Sequence, residues 1–449
     1  MTPQQVIRNY RAIAGLYTLS ASLIWGVNTL FLLEAGLDIL EVFIANATFT
    51  ASMALFEIPT GVVADTVGRR VSFLVSVVIV FAGTLGYVAA SAAGGGLFLF
   101  CAVSVLLGLG YTFYSGAVEA WLVDALRATG FDGQLDRVFA RGSMVTGAAM
   151  LVGTLGGGVL GSLNLAFPFL LRALLMMIVF GLAWRTMHDL GFTPRTFRFS
   201  ALPAEMQSVG RASMIYGWQK RSVRLLMIAS FFQWGFLSWG FYAWQPYFLD
   251  LLGHDAVWVA GVIAALIALS TIAGNTLVER LARYCGRRTT LLLWAAAIQT
   301  GAAIGVGLAG SFWLAVALLL VVTSCMGVTV PVKQAYLHQV VPSEKRATVI
   351  SFASMIGGGG SVAGQVGLGY LARVHSIPLG YIVGGLFTLG VLPVLGSLRA
   401  LSEPADVIIG TAGRKGSCAA QGLPSVTSLD TTPANPPGAG SHEMRSLDS

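Results

Sequence analysis

Eight ionisable residues could do chemistry because of where they stand: Glu57, Asp65, Arg69, Arg70, Glu119, Asp124, Arg172 and Lys333 lie in or beside apolar runs of a chain with 10% charged residues. An ionisable group at membrane depth costs about 2.5 to 3.5 kcal/mol on insertion scales, so each is a functional candidate. A carboxylate in such a place can carry a proton, and a lysine or arginine can hold an anion. Glu119 is a candidate for proton coupling, with a salt bridge to Arg69 or Arg141 as the alternative. Glu57, at the end of an apolar run, reads as a structural carboxylate holding the loop that follows. Lys333, two residues after Pro331, is expected either to face a kinked helix interior or to snorkel to the surface. Arg172 needs a partner that the sequence does not identify.

Uncharged polar residues inside apolar runs also need a partner or a cavity. Asn28, Gln233 and Gln245 are of this kind. The run from Phe231 to Phe248 concentrates aromatics, among them Trp234, Trp239, Tyr242 and Trp244. Rings with a few polar groups suit a site for an amphipathic compound, whereas interfacial packing is the plainer use of the same rings. Tyr336, three residues after Lys333, completes the set of binding candidates: Asn28, Glu119, Gln233, Trp239, Tyr242, Gln245, Lys333 and Tyr336.

Other chemistries find little support. Cys101, Cys285, Cys325 and Cys418 have neither C-x-x-C spacing nor a histidine partner, so no metal site is expected. No G-x-x-x-x-G-K-[ST] phosphate loop occurs and no nucleophile–base pair stands out, so the expectation is a protein that is not an enzyme and has no cofactor. The net charge of +7 is spread over short loops, which does not make a nucleic-acid surface.

The elements that must position these residues are membrane helices. With 55% hydrophobic residues the chain exceeds the range of water-soluble globules, and apolar runs of spanning length recur at 12–33, 40–63, 71–91, 97–122, 139–162, 165–187, 223–249, 256–279, 289–309, 312–335, 347–371 and 377–399. Twelve spans predict an all-α membrane protein. Lysine and arginine gather at the N-terminus and in alternate loops, as in Arg8, Arg11, Arg69, Arg70, Arg127, Arg185, Arg287, Arg288 and Lys345, which puts both termini in the cytoplasm. The expected organisation is a bundle over 1–187, a central cytoplasmic loop over 188–222 with a possible amphipathic helix from Pro203 to Trp218, a second bundle over 223–400, and a disordered cytoplasmic tail over 401–449.

The two bundles share residues in order. Gly68-Arg69-Arg70 recurs as Gly286-Arg287-Arg288, Ala120-Trp121-Leu122 as Ala335-Tyr336-Leu337, and Ser143-Met144 with Gly147, Gly153, Gly156 and Gly158 as Ser354-Met355 with Gly358, Gly364, Gly367 and Gly369. This order implies duplication, which places a binding site between the repeats near mid-membrane.

The stretch Gly61-Val-Val-Ala-Asp65-Thr-Val-Gly68-Arg69-Arg70 resembles the signature between the second and third helices of the major facilitator superfamily of secondary transporters. That resemblance implies two pseudo-symmetric six-helix bundles, alternating access, and a latch role for the loop, with Asp65 and Arg69 in an inter-helix charge network to which Glu119 or Asp124 would supply the acid. In the second copy only Gly-Arg-Arg survives. Gly153 to Ser162 is similar to the family's antiporter signature G-P-x-x-G-G, with Gly158 in place of the proline and Ser162 in place of the last glycine. The resemblance implies a carrier of small molecules; the aromatic run, the few buried charges and this altered signature together give the expectation of a monomeric antiporter of the plasma membrane, with proton-coupled efflux of amphipathic or apolar compounds first. Proton-coupled uptake of a sugar, peptide or organic anion is the alternative, with Lys333 or Arg172 as counter-ion. A polytopic sensor or membrane enzyme is the reading from another class.

Overall fold

The computed structural model describes residues 1–193, 207, 211, 213–253, 256–342 and 346–408. Among the described residues, eleven helical passes are long and apolar enough to cross a membrane. They are the second span Ile39–Thr66, third Arg69–Ala92, fourth Leu97–Tyr114 with Ala117–Ala128, fifth Leu135–Leu163, sixth Phe167–Thr186, seventh Arg221–Leu252, eighth Val257–Cys285, ninth Arg288–Leu308, tenth Phe312–Val340, eleventh Arg346–Val374 and twelfth Ile377–Thr388 with Val391–Ala400. Pro3–Ser22 and Asn28–Glu34 make the first span in two pieces. Twelve passes put both ends of the helical bundle on one face, here the terminal face. The other is the far face.

Local chemistry sets the helix ends. Thr2 and Gln5, and again Asp38 and Glu41, form reciprocal capping boxes at the starts of the first two spans. Gly116, with φ +76°, divides the fourth span in the left-handed region that glycine tolerates.

The first span breaks between Ser22 and Asn28, where it passes close to the eighth: a methyl group added at Gly26 would stand 3.1 Å from the Ala260 carbonyl oxygen. A break inside a membrane frees backbone groups that water cannot satisfy. Gln245 of the seventh span satisfies two of them, its Oε1 accepting from Thr29 N at 2.9 Å and its Nε2 donating to Trp25 O at 3.0 Å. Thr29 Oγ1 donates to Tyr242 O at 3.1 Å. The sequence marks Gln245 as a cargo contact, but both ends of its fully buried amide are committed to this junction.

The two bundles meet through three pairs of spans: first with seventh, second with eleventh, and fifth with eighth. In the fifth and eighth, Gly158 faces Gly261 backbone to backbone; a methyl group added at Gly261 would lie 2.7 Å from Gly158 Cα and from the Thr154 carbonyl oxygen. In the second and eleventh, Phe43 packs against Gly369 and Arg373 pairs with Asp38 at 3.3 Å. These contacts belong to the part of each span nearer the far face. Small residues let membrane helices approach this closely.

Residues 401–408 correct the expected boundary of the tail, because they belong to the folded unit that runs from Met1 to Ile408. Asp406 is buried and accepts from Thr289 N at 2.7 Å and Thr289 Oγ1 at 2.8 Å, which caps the start of the ninth span. Tail residues 409–449 and half of the expected helix from Pro203 to Trp218 lie outside the described residues; Ser213–Trp218 is a π-helical turn.

Candidate functional site

Two adjoining cavities lie between the bundles and share Phe49 and Tyr242. The first, of about 340 Å³, is lined by Tyr17, Tyr87, Tyr111 and Tyr114, by Asn28 and Asn46, and by Arg172. The second, of about 300 Å³, is lined mainly by apolar groups, including Trp234, Phe236, Phe241 and Trp244, with Gln365 as a polar contact. Each is near the lower end of the volumes known for small-molecule sites, about 300 to 1,000 Å³. Nearer the terminal face, Tyr10, Tyr114, Glu119, Ser143, Thr146, Met150 and Ile272 line a vestibule.

Secondary structure explains how these groups come together. Asn28 opens the second piece of the broken first span, and its Nδ2 donates to Asn46 Oδ1 of the second span at 3.2 Å. Asn46 in turn donates to Val42 O at 3.0 Å. Tyr17 stacks on Tyr114 with ring centroids 3.9 Å apart, and Tyr87 shares a 2.6 Å hydrogen bond with Ser104. Arg172 enters from the sixth span, five residues after its first residue, Phe167. Its Nε is shut off from solvent without an acceptor.

The structure separates several sequence candidates from the cavities. Lys333 Nζ donates to Gln233 Oε1 at 3.0 Å, a tenth-to-seventh span contact that lines neither cavity. Trp239 is fully buried between Phe43 and Tyr381, so it is a packing residue. Tyr336 is fully buried in the apolar core that joins the seventh, ninth, tenth and twelfth spans. Asn28 and Tyr242 do line a cavity, and Glu119 lines the vestibule. The tyrosine ring around Arg172 and the contribution of Asn46 went unseen, because a period of one helix does not show which faces of four helices converge.

The loop between the second and third spans has a different acid from those expected. Arg69 Nη1 pairs with Asp65 at 2.6 Å, but among the described residues neither Glu119 nor Asp124 forms an ion pair with it. Asp189, just beyond the sixth span, meets the loop as a cap and forms no ion pair with Arg69 among the described residues: its carboxylate accepts from Arg70 N at 2.9 Å at the start of the third span. Gly68 has φ +127°, and a Cβ there would collide with the Asp189 carboxylate. Arg70 also donates to Trp184 O at 2.7 Å and lies over the Trp184 ring at 5.0 Å. The second bundle repeats the arrangement. Gly286 has φ +64°, Asp406 caps the ninth span, and Arg288 donates to Val407 O at 3.0 Å. Gly286 follows Gly68 by 218 residues and Asp406 follows Asp189 by 217, so the second copy keeps its closing acid after the bundle's last span.

Twelve spans in two bundles, with matching basic loops and a cavity between them, are a transporter architecture, and the profile of the Major Facilitator Superfamily matches residues 12–364 and 259–416. The chain belongs to the major facilitator superfamily. A Bacillus subtilis (strain 168) member, the uncharacterized MFS-type transporter YxaM, is 22% identical over 399 residues, covering 87% of this chain and 94% of that protein. Among solved structures, the nucleoside transporter NupG superposes with a TM-score of 0.73 at 10% identity, covering 88% of this chain and 99% of NupG. A POT family transporter in complex with 5-aminolevulinic acid gives 0.69 at 12% identity, covering 90% and 99%. The solved structures establish the fold, and membership of the superfamily makes the chain a membrane transporter and not an enzyme.

Proposed function

We propose that this superfamily member is a proton-coupled exporter of amphipathic small molecules, working as a single chain in the plasma membrane with both termini cytoplasmic. The observation that carries this reading is the placement of the cavities: the bundle contacts at Gly158–Gly261, Phe43–Gly369 and Gln245–Thr29 lie toward the far face, while the vestibule lies toward the terminal face. With the termini cytoplasmic, the conformation is open inward and can load cargo from the cell. Glu119 lines the path that cargo would take, with no ion pair among the described residues, and is our proposed proton-carrying carboxylate. The Asp65–Arg69 loop would be the latch that engages when the terminal face closes; in this conformation a methyl group at Gly61 would meet nothing within 4 Å.

A second reading, proton-driven uptake, is favoured by the polar wall of the first cavity, where Asn28, Asn46 and five tyrosines could bind a sugar, nucleoside or peptide. Liposomes containing the purified protein, sorted by orientation, separate the two. Export predicts that acidifying the compartment opposite the terminal face drives cargo into that compartment. Accumulation on the terminal face under the same gradient would overturn it.

A further inference from the structure

We infer that the cargo is an amphipathic organic anion, its charged head held by Arg172 in the first cavity and its apolar body lodged in the second. This rests on the transporter reading and narrows it to a substrate class.

Arg172 is a charge without a counterpart. A guanidinium has five N–H donors and stays protonated in proteins. Among the described residues its side chain has neither a hydrogen-bond acceptor nor an ion pair. The titratable groups that face it are Tyr17, Tyr87, Tyr111 and Tyr242, from the first, third, fourth and seventh spans, and no carboxylate is among them. No aromatic face compensates it either, since the cation–π pair among the described residues is Arg70 over Trp184. Of the acids toward the far face, Asp38 accepts from Glu41 N and pairs with Arg373, Glu41 accepts from Asp38 N, and among the described residues neither Glu34 nor Asp250 pairs with Arg172. A cation inside the bundle with no counter-charge is costly, and an anionic ligand that reaches its open Nη groups removes that cost on binding.

The surroundings match such a ligand. Arg172 stands about 7.5 Å along the sixth span from its first residue, at a rise of 1.5 Å per residue, so the head group binds toward the closed far face. A fork of parallel N–H groups suits a carboxylate, sulfonate or phosphate, and phenol hydroxyls can donate to the remaining oxygens. The second cavity adjoins the first at Phe49 and Tyr242, which line both, and presents the rings of Trp234, Phe236, Phe241 and Trp244. An aromatic or short aliphatic body fits there, whereas a second charge would lack a partner.

Binding of naphthalene-2-sulfonate and of the neutral naphthalene-2-sulfonamide to the full chain in nanodiscs tests this, because the probes share a ring system and differ by one charge. The wild-type protein should bind the sulfonate about tenfold more tightly, equivalent to about 1.4 kcal/mol. Arg172→Gln should erase that preference by weakening the sulfonate far more than the sulfonamide, and Arg172→Lys should retain part of it. Trp234→Ala should weaken both probes alike. Equal affinities in the wild type, no binding of either probe, or a preference that survives Arg172→Gln would overturn the inference; if the Gln variant does not fold, the wild-type ratio and the Lys variant decide it. If the sulfonate binds selectively but no gradient moves it across liposomes, the transport reading fails and the anion site stands.

Discussion

Three carboxylates near the terminal face divide between two tasks, although they are the same chemical group. Asp189 and Asp406 are caps: each accepts from a backbone N–H at the start of a span. Losing a cap costs about 0.5 to 2 kcal/mol, so Asp189→Ala and Asp406→Ala should each lower the thermal unfolding midpoint of the purified protein without changing cargo affinity. Glu119 makes no such bond, and Glu119→Gln should leave the midpoint in place. What it should abolish is gradient-driven transport, with exchange of cargo for cargo preserved in the same liposomes. Asp65→Asn breaks the 2.6 Å pair with Arg69 and should slow turnover while affinity holds. A selective loss of affinity would count against the latch.

Among the elements, the fifth and eighth spans decide which face is closed. Gly158 and Gly261 touch without side chains, so Gly261→Val overpacks the far-face seam, a change that typically costs about 1 to 3 kcal/mol. The ratio of inward-open to outward-open carriers should fall by roughly five- to 150-fold. A cysteine placed at Ser143, in the vestibule, should then react more slowly with a maleimide in a cysteine-free background. Much of this architecture was legible in sequence, because twelve apolar runs and the Gly-Arg-Arg repeat report length and order. The break between Ser22 and Asn28 was not. It is stabilised by Gln245, 216 residues beyond Thr29, and a hydropathy run cannot show a partner so distant. Asp189 escaped for the same reason: it lies outside the Gly61–Arg70 motif in sequence and against it in space. Lys333, conspicuous as a charge in an apolar run, is answered by Gln233 on another span.

For the whole molecule, far-face closure is shared unequally among its contacts. The Asp38–Arg373 pair is 38% and 54% exposed, and such surface pairs contribute about 0 to 1 kcal/mol. Arg373→Ala should therefore move the conformational equilibrium less than about fivefold, far less than Gly261→Val in the same labelling assay. If the two variants shifted it equally, charge would matter as much as packing in holding that face shut.

The solitary guanidinium of Arg172 has an electrical consequence. In a carrier whose barrier moves from one side of the cavity to the other, a fixed charge in that cavity changes the side of the membrane field it senses, even if its helix moves little. With an anion bound, the net charge crossing the field is near zero. Without one, the return step carries up to one positive charge, worth at most about 2.3 kcal/mol per 100 mV. Voltage should accordingly govern the empty carrier, appearing as transient currents that vanish when cargo saturates the site and are absent from Arg172→Gln.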